Sequence, residues 1–330
     1  MKADEPGSIL LVKTSSMGDV IHNLPVASDL AARFPQAHID WVVEEGFADI
    51  PRLHPAVRRV LPVALRRWKR QPFSARVWRE IRAARHDIEA TAYDVILDTQ
   101  GLLKSALIAR AARCAATGRR LGYSFRAIRE PLAAWAYDER FFVARSLHAV
   151  TRNRQLAAAA LGYDLPPAMD YGLSLRGTKE ARGESVVFLT ASSRADKSWA
   201  EHNWINLGRA LARLGLTLLL PGGNALERER AGRIAAMMPG AQAVPPMPLA
   251  DLAALLAHAR FVVGVDTGLV HLAAAVRTPV LALYTATNPA LTGVLGSGWC
   301  RNLGASGAPP DLPSVLEALQ PLLRATTARN

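Results

Sequence analysis

The segment Phe261–Ala275 restricts the fold of this chain more than any other. Phe261-Val-Val-Gly-Val265 is a continuous apolar run, which suits a strand buried on both faces of a parallel sheet. Asp266, Thr267 and Gly268 interrupt the run, and an apolar helix follows. A strand that turns directly into a helix presents free backbone N–H groups, and the helix dipole favours an anion there. The segment therefore predicts an α/β sheet with a phosphate site at its carboxyl edge, with helix capping by Asp266 and Thr267 as the alternative.

Length and composition set the scale of the fold. A chain of 330 residues predicts two domains. Half of its residues are hydrophobic, which excludes global disorder. Cys114 and Cys300 belong to no metal-ligand spacing, which favours packing roles in a reducing compartment. The N-terminal residues are polar and lead directly into a strand, with neither a signal-peptide pattern nor an apolar run long enough to span a bilayer. We therefore expect a cytoplasmic protein.

Strand and helix patterns alternate along the whole chain and restart after a polar segment with two glycines. This alternation predicts doubly wound parallel sheets, and the restart predicts two of them. The predicted organisation is an N-terminal Rossmann-like domain over residues 1–172, a linker at 173–184, a C-terminal Rossmann-like domain at 185–311, and a C-terminal helix at 312–330 that is a candidate to pack back on the N-terminal domain. Predicted strands cover 8–13, 38–44, 57–63, 94–98 and 120–123, then 185–190, 216–220, 241–244, 261–265 and 280–284; predicted helices cover 19–33, 48–53, 73–89, 104–115 and 147–161, then 201–214, 227–238, 248–259 and 312–324.

The formal net charge of +12 predicts an acidic partner. Eleven Lys and Arg lie between Arg52 and Arg85 against one acid, Glu80, and they are densest in Arg66-Arg-Trp-Lys-Arg70. Solvated surface arginine explains most of them, but this dense run favours a binding role. Nucleic acid is disfavoured, because zinc-finger spacing and aromatic RNA-binding patterns are absent. We expect the basic segment to dock on anionic lipid, with salt weakening the attachment.

Two residues could carry catalysis. Asp19 ends the loop 13–19, which contains three hydroxyl side chains. The sequence of this loop is neither a P-loop nor a dinucleotide-binding fingerprint. The Asp19 carboxylate suits either a helix N-cap or a general base. The chain has no Asp-x-Asp metal motif, so a diphosphate leaving group would need a cation such as Lys197, loop hydroxyls and a helix end. The alternative for Lys197 is an ordinary surface lysine.

Six segments, in order, resemble the ADP-heptose:lipopolysaccharide heptosyltransferases of glycosyltransferase family 9. Within this family, Glu44-Glu45 with Arg66-Arg67 favours the first heptosyltransferase of the pathway over the second. The segments are Lys13–His22, Trp41–Phe47, Arg66–Trp68, Asp98–Ser105, Asp196–Trp199 and Val265–Leu272.

The resemblance implies a GT-B fold, with the two Rossmann-like domains facing across a cleft that closes on the donor. It implies inverting transfer of L-glycero-D-manno-heptose from ADP-heptose to the Kdo of Kdo2-lipid A, in lipopolysaccharide inner-core synthesis. ADP-heptose is then a co-substrate, and neither a cofactor nor an obligatory metal is expected. The resemblance also implies a peripheral protein on the cytoplasmic face of the inner membrane, with a monomer favoured.

The resemblance assigns roles to individual residues. Asp19 is the expected base, Lys197 neutralises the diphosphate, and Glu227 accepts the ribose hydroxyls, with Glu229 as its rival. The remaining expected donor-binding residues are Ser192, Ser193, Met247, Asp266, Thr267, Gly268 and His271. Arginine pairs bidentately with phosphates and carboxylates, and the expected acceptor-binding residues are Arg66, Arg67, Lys69, Arg70 and Arg129, with Arg126 as a rival to Arg129.

Two alternatives remain. One is the second heptosyltransferase or another GT-B enzyme acting on sugar nucleotides, such as an epimerase. The other is a non-catalytic, two-domain protein that binds a phosphorylated ligand. In the second case, a variant that lacks the Asp19 carboxylate would function normally.

Overall fold

The structure, a computed structural model, describes residues 5–175, 183–192 and 194–327, with side chains described to residue 324. The chain divides into two compact units, the first ending at Ser174 and the second starting at Leu175. Most of the predicted linker, residues 176–182, lies outside the described residues. Each unit contains a six-stranded sheet in which every neighbouring pair is parallel.

The strands of the first unit agree with most of the predicted ranges. In the second unit, a strand follows the last one that the sequence indicates. The strands are β1 Ser8–Val12, β2 His38–Glu44, β3 Val57–Val63, β4 Tyr93–Asp98, β5 Cys114–Tyr123 and β6 Glu139–Phe141, then β7 Ser185–Leu189, β8 Thr217–Pro221, β9 Ala241–Val244, β10 Phe261–Val265, β11 Val280–Tyr284 and β12 Cys300–Gly304.

The helices cover the remaining regular structure, together with 3₁₀ turns at Glu45–Phe47, Pro131–Ala136 and Ala195–Lys197. In the described part of the chain, no helix is both long and apolar enough to cross a bilayer. The helices are α1 Met17–Ile21, α2 Leu24–Arg33, α3 Asp49–Arg52, α4 Leu65–Arg70, α5 Ala75–Glu89, α6 Leu103–Ala111 and α7 Ala149–Leu161, then α8 Glu201–Ala212, α9 Ala225–Ala236, α10 Leu249–His258, α11 Gly268–Ala275, α12 Pro289–Thr292 and α13 Leu312–Thr327.

The strand order is doubly wound in both units. It is β3-β2-β1-β4-β5-β6 in the first and β12-β11-β10-β7-β8-β9 in the second. The order reverses between β1 and β4 in the first unit, and between β7 and β10 in the second. Ligands of open α/β sheets bind beside such switch points, at the carboxyl ends of the strands. The loops after these four strands are therefore the places to look for a site.

The apolar runs form the core as the sequence predicts. Ile9–Val12 and Phe261–Val265 are fully buried in the middle of their sheets, as expected for strands covered by helices on both faces. The C-terminal helix α13 contributes Val315, Ala318 and Leu319 to the core of the second unit, where they pack with residues of β7, β8 and α8.

Several predicted boundaries are corrected. The helix predicted over 19–33 is two helices, because Pro25 occupies the first turn of α2. The basic run 65–70 forms α4, which lacks an apolar stripe that sequence reasoning could detect. The strand predicted at 120–123 starts at Cys114, and the helix before it ends at Ala111. The first half of this strand has no apolar strand pattern, because residues 117–120 (Thr-Gly-Arg-Arg) are polar or glycine.

An ion pair and several hydrogen bonds connect the C-terminal segment of the first unit to the rest of that unit. Arg154 on α7 forms a buried ion pair with Asp29 (Nε to Oδ2, 2.7 Å) and donates to the carbonyls of Pro166 and Ala168 (2.9 Å each). Further along, the Ser174 N–H donates to the Leu53 carbonyl at 3.0 Å. These bonds fix the chain up to the end of the first unit.

His54 lies under this segment and is 3% exposed. Its Nδ1 accepts from the Ala56 N–H at 3.2 Å, so in the neutral ring Nε2 carries the proton and donates to Ser28 Oγ at 2.9 Å. Burial lowers the pKa of His54 to about 4, and the nearby charge of Asp170 acts in the opposite direction. Gly172 has a φ of +64°, and a Cβ there would lie 2.2 Å from His54 Nε2. The ring is therefore held neutral in a close-fitting site.

This burial predicts a pH-dependent stability. The unfolded chain binds a proton at His54 near pH 6.5, whereas the folded chain does so only near pH 4. The His54 contribution is therefore complete above pH 6.5 and is lost as the pH falls to 4, by up to about 3 kcal/mol of unfolding free energy. Urea titrations across this range should show a shallower pH dependence in His54→Gln than in the exposed control His86→Gln. Equal slopes in the two variants would contradict this.

Candidate functional site

A first candidate site, within the first unit, surrounds the Asp19 carboxylate in α1. Its Oδ2 accepts from the Ser16 N–H at 2.8 Å and from Ser16 Oγ at 2.9 Å. Asp19 therefore takes part in helix capping, as the structural alternative requires. Among the described residues, its Oδ1 accepts no hydrogen bond, and the side chain is half-buried. Capping and a role as proton acceptor are thus compatible, because they use different oxygens of one carboxylate.

The loop that carries Asp19 is held by the neighbouring strand end. Gln100 Oε1 accepts from the N–H and Oγ of Thr14 at 2.6 and 2.8 Å, while Gln100 Nε2 donates to the Ser15 carbonyl at 2.7 Å. Asp98 in turn accepts from the N–H groups of Gln100 and Gly101 at 2.8 and 3.1 Å. Because β1 and β4 are neighbours at the switch point, the loop after β4 fixes the loop after β1.

Two lysines near this loop have different surroundings. Lys13 is buried, with Nζ donating to the Thr99 carbonyl at 2.9 Å, and burial lowers its pKa. The Lys13 bond to Thr99 therefore joins the loop after β1 to the loop after β4. Lys104 is half-buried and donates from Nζ to Ser15 Oγ at 2.6 Å. Partial burial lowers the pKa of Lys104, and the charges of Asp19 and of Glu44 oppose that shift. The sequence motif contains Lys104, but sequence reasoning gave it no role.

The basic segment is less free than its composition suggests. Arg67 forms a bidentate pair with Glu45 (3.0 Å for each bond) and a third bond to Glu80 at 2.6 Å. A hydrogen bond from the Trp68 indole and the Arg67 pair together lower the pKa of Glu80 to about 2. Arg66 is exposed, and its guanidinium carbon lies 5.4 Å from the Phe47 ring centre. Arg67 is thus already neutralised by two carboxylates of the protein.

Four further exposed cations remain as acceptor candidates. Lys69 and Arg70 end α4, and Arg126 and Arg129 lie in the loop after β5. Within the described residues, none of the four forms an ion pair. The structure gives no preference between Arg126 and Arg129.

A second candidate site, within the second unit, is an ion pair at the end of β10. Asp266, which is 7% exposed, accepts from Lys197 Nζ at 2.6 Å and from Thr287 Oγ1 at 2.6 Å. Ser192 Oγ donates to the Asp266 carbonyl at 3.3 Å. The structure therefore brings together Lys197, Asp266 and Ser192, three of the predicted donor-site residues. Sequence reasoning missed Thr287, although its place just after β11, the neighbour of β10, was a usable signal.

The helix after Asp266 has the predicted form. Thr267 is the N-cap of α11, and Gly268 is its first residue. The first amides of a helix have no intrahelical partner and attract anions. His271 is buried within α11, which agrees better with a packing residue than with a catalyst. A cationic ammonium and free helix amides lie at the same strand end, which is chemically suited to a diphosphate.

Arg230 on α9 fixes the loop that carries Lys197. Its guanidinium donates to the carbonyls of Thr190 and Trp199 at 2.6 and 3.0 Å, which are the two ends of that loop. It also pairs with Glu201 at 3.0 Å. Arg230 therefore fixes both ends of the loop and thereby restricts the position of Lys197.

The other predicted donor residues lie on neighbouring loops. Glu227 closes a capping box with Asn224 and accepts from the Gly223 N–H at 2.8 Å. Its rival Glu229 is exposed and paired with Arg233 at 3.0 Å. Met247 is half-buried between β9 and α10, and Ser193 lies outside the described residues.

Comparison with known proteins decides the family. The model of glycosyltransferase family 9 (heptosyltransferase) matches residues 81–311. The chain belongs to this family. It is therefore a glycosyltransferase, and it is 44% identical over 293 residues to the lipopolysaccharide heptosyltransferase 1 of Escherichia coli K12, which covers 87% of this chain and 91% of that protein. The corresponding protein of Pseudomonas aeruginosa is 45% identical over 87% of this chain and 81% of its own length.

Solved structures agree with this assignment. The E. coli heptosyltransferase WaaC with ADP has 40% sequence identity and a TM-score of 0.88, covering 96% of this chain and 99% of that one. The E. coli ADP-heptose heptosyltransferase II, at 21% identity and a TM-score of 0.76, shows the same fold. The predicted GT-B class of two Rossmann-like units is thus confirmed.

The metal-free chemistry stays a prediction. Over residues 5–175, 183–192 and 194–327, no group of three or more His, Cys, Asp or Glu side chains is arranged to hold a metal ion.

Gly264 is closely packed between β7 and α11, so a larger residue at this position should destabilise the second unit. A Cβ at this position of β10 would lie 2.5 Å from Val270 Cγ1 on α11 and 2.8 Å from Leu189 Cβ on β7. Gly264→Ala should therefore displace α11 and lower the free energy of unfolding by about 1–3 kcal/mol. The matched control is Gly232→Ala in α9, where nothing lies within 4 Å of the new methyl group and a gain of about 0.5–1 kcal/mol is expected. Urea titration gives both values, and equal effects would contradict the packing argument.

Proposed function

We propose that this heptosyltransferase transfers L-glycero-D-manno-heptose from ADP-heptose to the Kdo of Kdo2-lipid A, with inversion at the anomeric carbon. The observation that carries the proposal is the 44% identity, over most of both chains, to a protein named lipopolysaccharide heptosyltransferase 1. The ADP in the solved relative, at 40% identity, supports an ADP-linked donor.

Asp19 is the proposed general base. An inverting displacement needs a proton acceptor beside the attacking hydroxyl and stabilisation of the leaving group on the opposite face of the sugar. The Oδ2 bonds to Ser16 orient the carboxylate and leave Oδ1 for the Kdo hydroxyl. Gln100 keeps the loop in place through Thr14 and Ser15. Asp19 then takes the proton as the hydroxyl oxygen attacks the heptose.

Lys197 and the start of α11 are the proposed diphosphate site. The negative charge of ADP grows as the glycosidic bond breaks, and preorganised donors aimed at it lower the barrier. Asp266 holds the lysine side chain in place before the donor arrives, and Thr287 in turn holds the Asp266 carboxylate. The amides after Thr267 supply further donors, with Gly268 leaving room for phosphate. Hydroxyls of Ser192 and Ser193 and the ring of His271 are the proposed neighbours of the donor.

Glu227 and Met247 are proposed to hold the nucleoside. Glu227 already accepts bonds from Gly223 and Asn224, but a carboxylate has about four acceptor positions and can still bind two ribose hydroxyls. Met247 offers an adaptable apolar surface to adenine. The ion pair of Glu229 with Arg233 favours Glu227 for the ribose.

The proposed acceptor site combines the exposed cations of the first unit. Arg66, Lys69, Arg70 and Arg129 would pair with the carboxylates and phosphates of Kdo2-lipid A. Arg67 contributes by arranging Glu45 and Glu80, and it can bind the acceptor only by giving up part of that network. We add Lys104, whose ammonium lies beside the Asp19 loop on Ser15 Oγ. We further propose that the protein works as a monomer at the cytoplasmic face of the inner membrane, attached through anionic lipid.

The rival functions have less support. Heptosyltransferase II resembles the chain at 21% identity against 40% for WaaC. An epimerase of the same fold class reaches only 13% identity and a TM-score of 0.52, so that likeness is one of fold. A binding protein without chemistry gives the unbonded carboxylate oxygen of Asp19 no role, and the next experiment tests that alternative.

Removing the Asp19 base should abolish turnover while leaving ADP-heptose binding intact. Asp19→Asn keeps an acceptor oxygen for Ser16 but lacks the basicity, so ADP release on adding Kdo2-lipid A should fall by about 10²–10⁴-fold. The assay uses purified protein without added divalent ion, and mass spectrometry identifies the heptosylated acceptor. The matched control is Asp49→Asn, which breaks only a surface pair with Arg52. Unimpaired turnover in Asp19→Asn would exclude Asp19 as the base, and absence of wild-type turnover would exclude the transferase function.

Acceptor affinity should depend on the free cations more than on Arg67. Arg66→Gln and Arg70→Gln should each raise KM for Kdo2-lipid A about tenfold at unchanged kcat, because each removes a charge-assisted bond. Arg67→Gln should have a smaller effect, since its charge is already matched by Glu45 and Glu80. The control is Arg79→Gln, an exposed arginine of the same segment with no proposed contact.

The same assay decides between the two arginines after β5. We expect Arg129→Gln to raise KM and Arg126→Gln to leave it near the wild-type value. The reverse result would assign the contact to Arg126. Equal KM values for Arg66→Gln and Arg79→Gln would contradict the proposed acceptor site.

A further inference from the structure

An exposed apolar surface in the first unit is not used by any step of the proposed reaction. Its side chains come from α6, from the loop after β5, from the 3₁₀ turn Pro131–Ala136 and from the end of β6. Each is between 39% and 72% exposed. We call this surface the apolar face; its members are Leu103, Leu107, Phe125, Leu132, Trp135 and Phe142.

The aromatic half of the face is contiguous. Leu132 and Trp135 are three residues apart in a 3₁₀ turn, where such side chains lie one above the other. The ring centres of Trp135 and Phe125 are 5.2 Å apart in an edge-to-face arrangement. The chain before Phe142 is bonded to the same loop, because the Ser124 N–H donates to the Phe141 carbonyl at 2.9 Å. These residues therefore form one surface.

Helix α6 adds two leucines to this surface. Leu103 and Leu107 are four residues apart and so share one side of the helix. The Leu103 N–H donates to Glu130 Oε2 at 2.7 Å, and the Glu130 N–H bonds the Gly101 carbonyl at 3.4 Å. Glu130 directly precedes the 3₁₀ turn, so α6 and the turn lie side by side. The apolar face thus adjoins the Gly101 loop, which also supports the Asp19 loop.

Arginines border the apolar face. The Arg140 guanidinium lies 5.3 Å from the Phe125 ring centre and donates to the Ala134 carbonyl at 2.7 Å. Arg110 is exposed one turn after Leu107, and Arg126 and Arg129 are exposed beside Phe125. Exposed Trp, Phe and Leu bordered by Arg are typical of surfaces that lie in the interface of an anionic membrane.

We propose that the apolar face docks the protein on an anionic phospholipid bilayer, with Leu107, Leu132 and Trp135 entering the headgroup region. The inference rests on the proposed function, in which the acceptor is a lipid. Anionic lipid complements the arginine border and the net charge of +12, whereas a second copy of the chain would bring like charges together. The face lies on the β6 side of the sheet, opposite the β3 side that carries the basic segment. Most of it therefore lies away from that segment, and only the start of α6 adjoins it, where the charge of Arg66 acts on Lys104.

Vesicle binding and turnover test the proposal together. Leu107→Glu and Trp135→Glu should each weaken co-sedimentation with phosphatidylglycerol-containing vesicles about tenfold. Turnover of a deacylated, water-soluble Kdo acceptor should stay at the wild-type level in Leu107→Glu, while turnover of Kdo2-lipid A in vesicles falls. The matched control is Leu214→Glu, at an exposed leucine of the second unit. This substitution should change neither vesicle binding nor turnover. Wild-type vesicle binding in both face variants would overturn the proposal. If wild-type protein turns over neither the soluble acceptor nor Kdo2-lipid A, the proposed function fails, while the vesicle result still stands.

Fluorescence quenching locates the contact. Brominated acyl chains should quench Trp135, so Trp135→Phe should lose most of the quenching while keeping its apolar character. The matched variant is Trp78→Phe, an exposed tryptophan of the basic segment. Quenching that disappears with Trp78 and persists without Trp135 would assign docking to the basic segment and overturn the proposal. Light scattering that showed a dimer dissolved by Leu107→Glu, with vesicle binding unchanged, would assign the face to self-association and overturn it as well.

Discussion

Asp266 at the end of β10 pairs with Lys197, and this ion pair joins the strand end to the loop after β7. A buried strand delivers the carboxylate to the edge of the sheet, and that carboxylate fixes an ammonium group beside the first amides of α11. An isolated carboxylate at 7% exposure would be costly, so the pair and the Thr287 bond make its burial tolerable. In the proposed mechanism, the same contacts preorganise the lysine for a phosphate. The proposal thus gives stability of the strand end and affinity for an anion one physical origin.

The first unit uses the same architecture for a different purpose. Its switch point lies between β1 and β4, and the loops after these strands are joined through Gln100. The result is an oriented carboxylate, with one oxygen bound to Ser16 and the other without a protein partner among the described residues. In the proposed mechanism, the sheet edge of the first unit presents the base, and that of the second unit presents cations and amides. Glycosyl transfer needs both kinds of group, so the proposal gives each Rossmann-like unit its own role.

Sequence reasoning reached the parts of this arrangement that depend on local pattern. The apolar runs of β1 and β10 identify buried strands, and the polar residues after them point to the candidate site residues. It missed features that depend on contacts between distant residues. The bonds of Thr287 to Asp266, of Lys104 to Ser15 and of Arg67 to Glu45 and Glu80 join positions far apart in the chain. The strands β6 and β12 are short or polar, so the alternation rule gives them no signal.

We infer a division of labour in which the second unit binds the nucleotide and the first unit supplies the base. Calorimetric titration with ADP tests this claim most directly. Lys197→Met should weaken ADP binding at least about tenfold, because it removes a charge-assisted contact to phosphate, while Asp19→Asn should bind ADP as tightly as the unmodified protein. Loss of ADP affinity in Asp19→Asn, or unchanged affinity in Lys197→Met, would contradict the account.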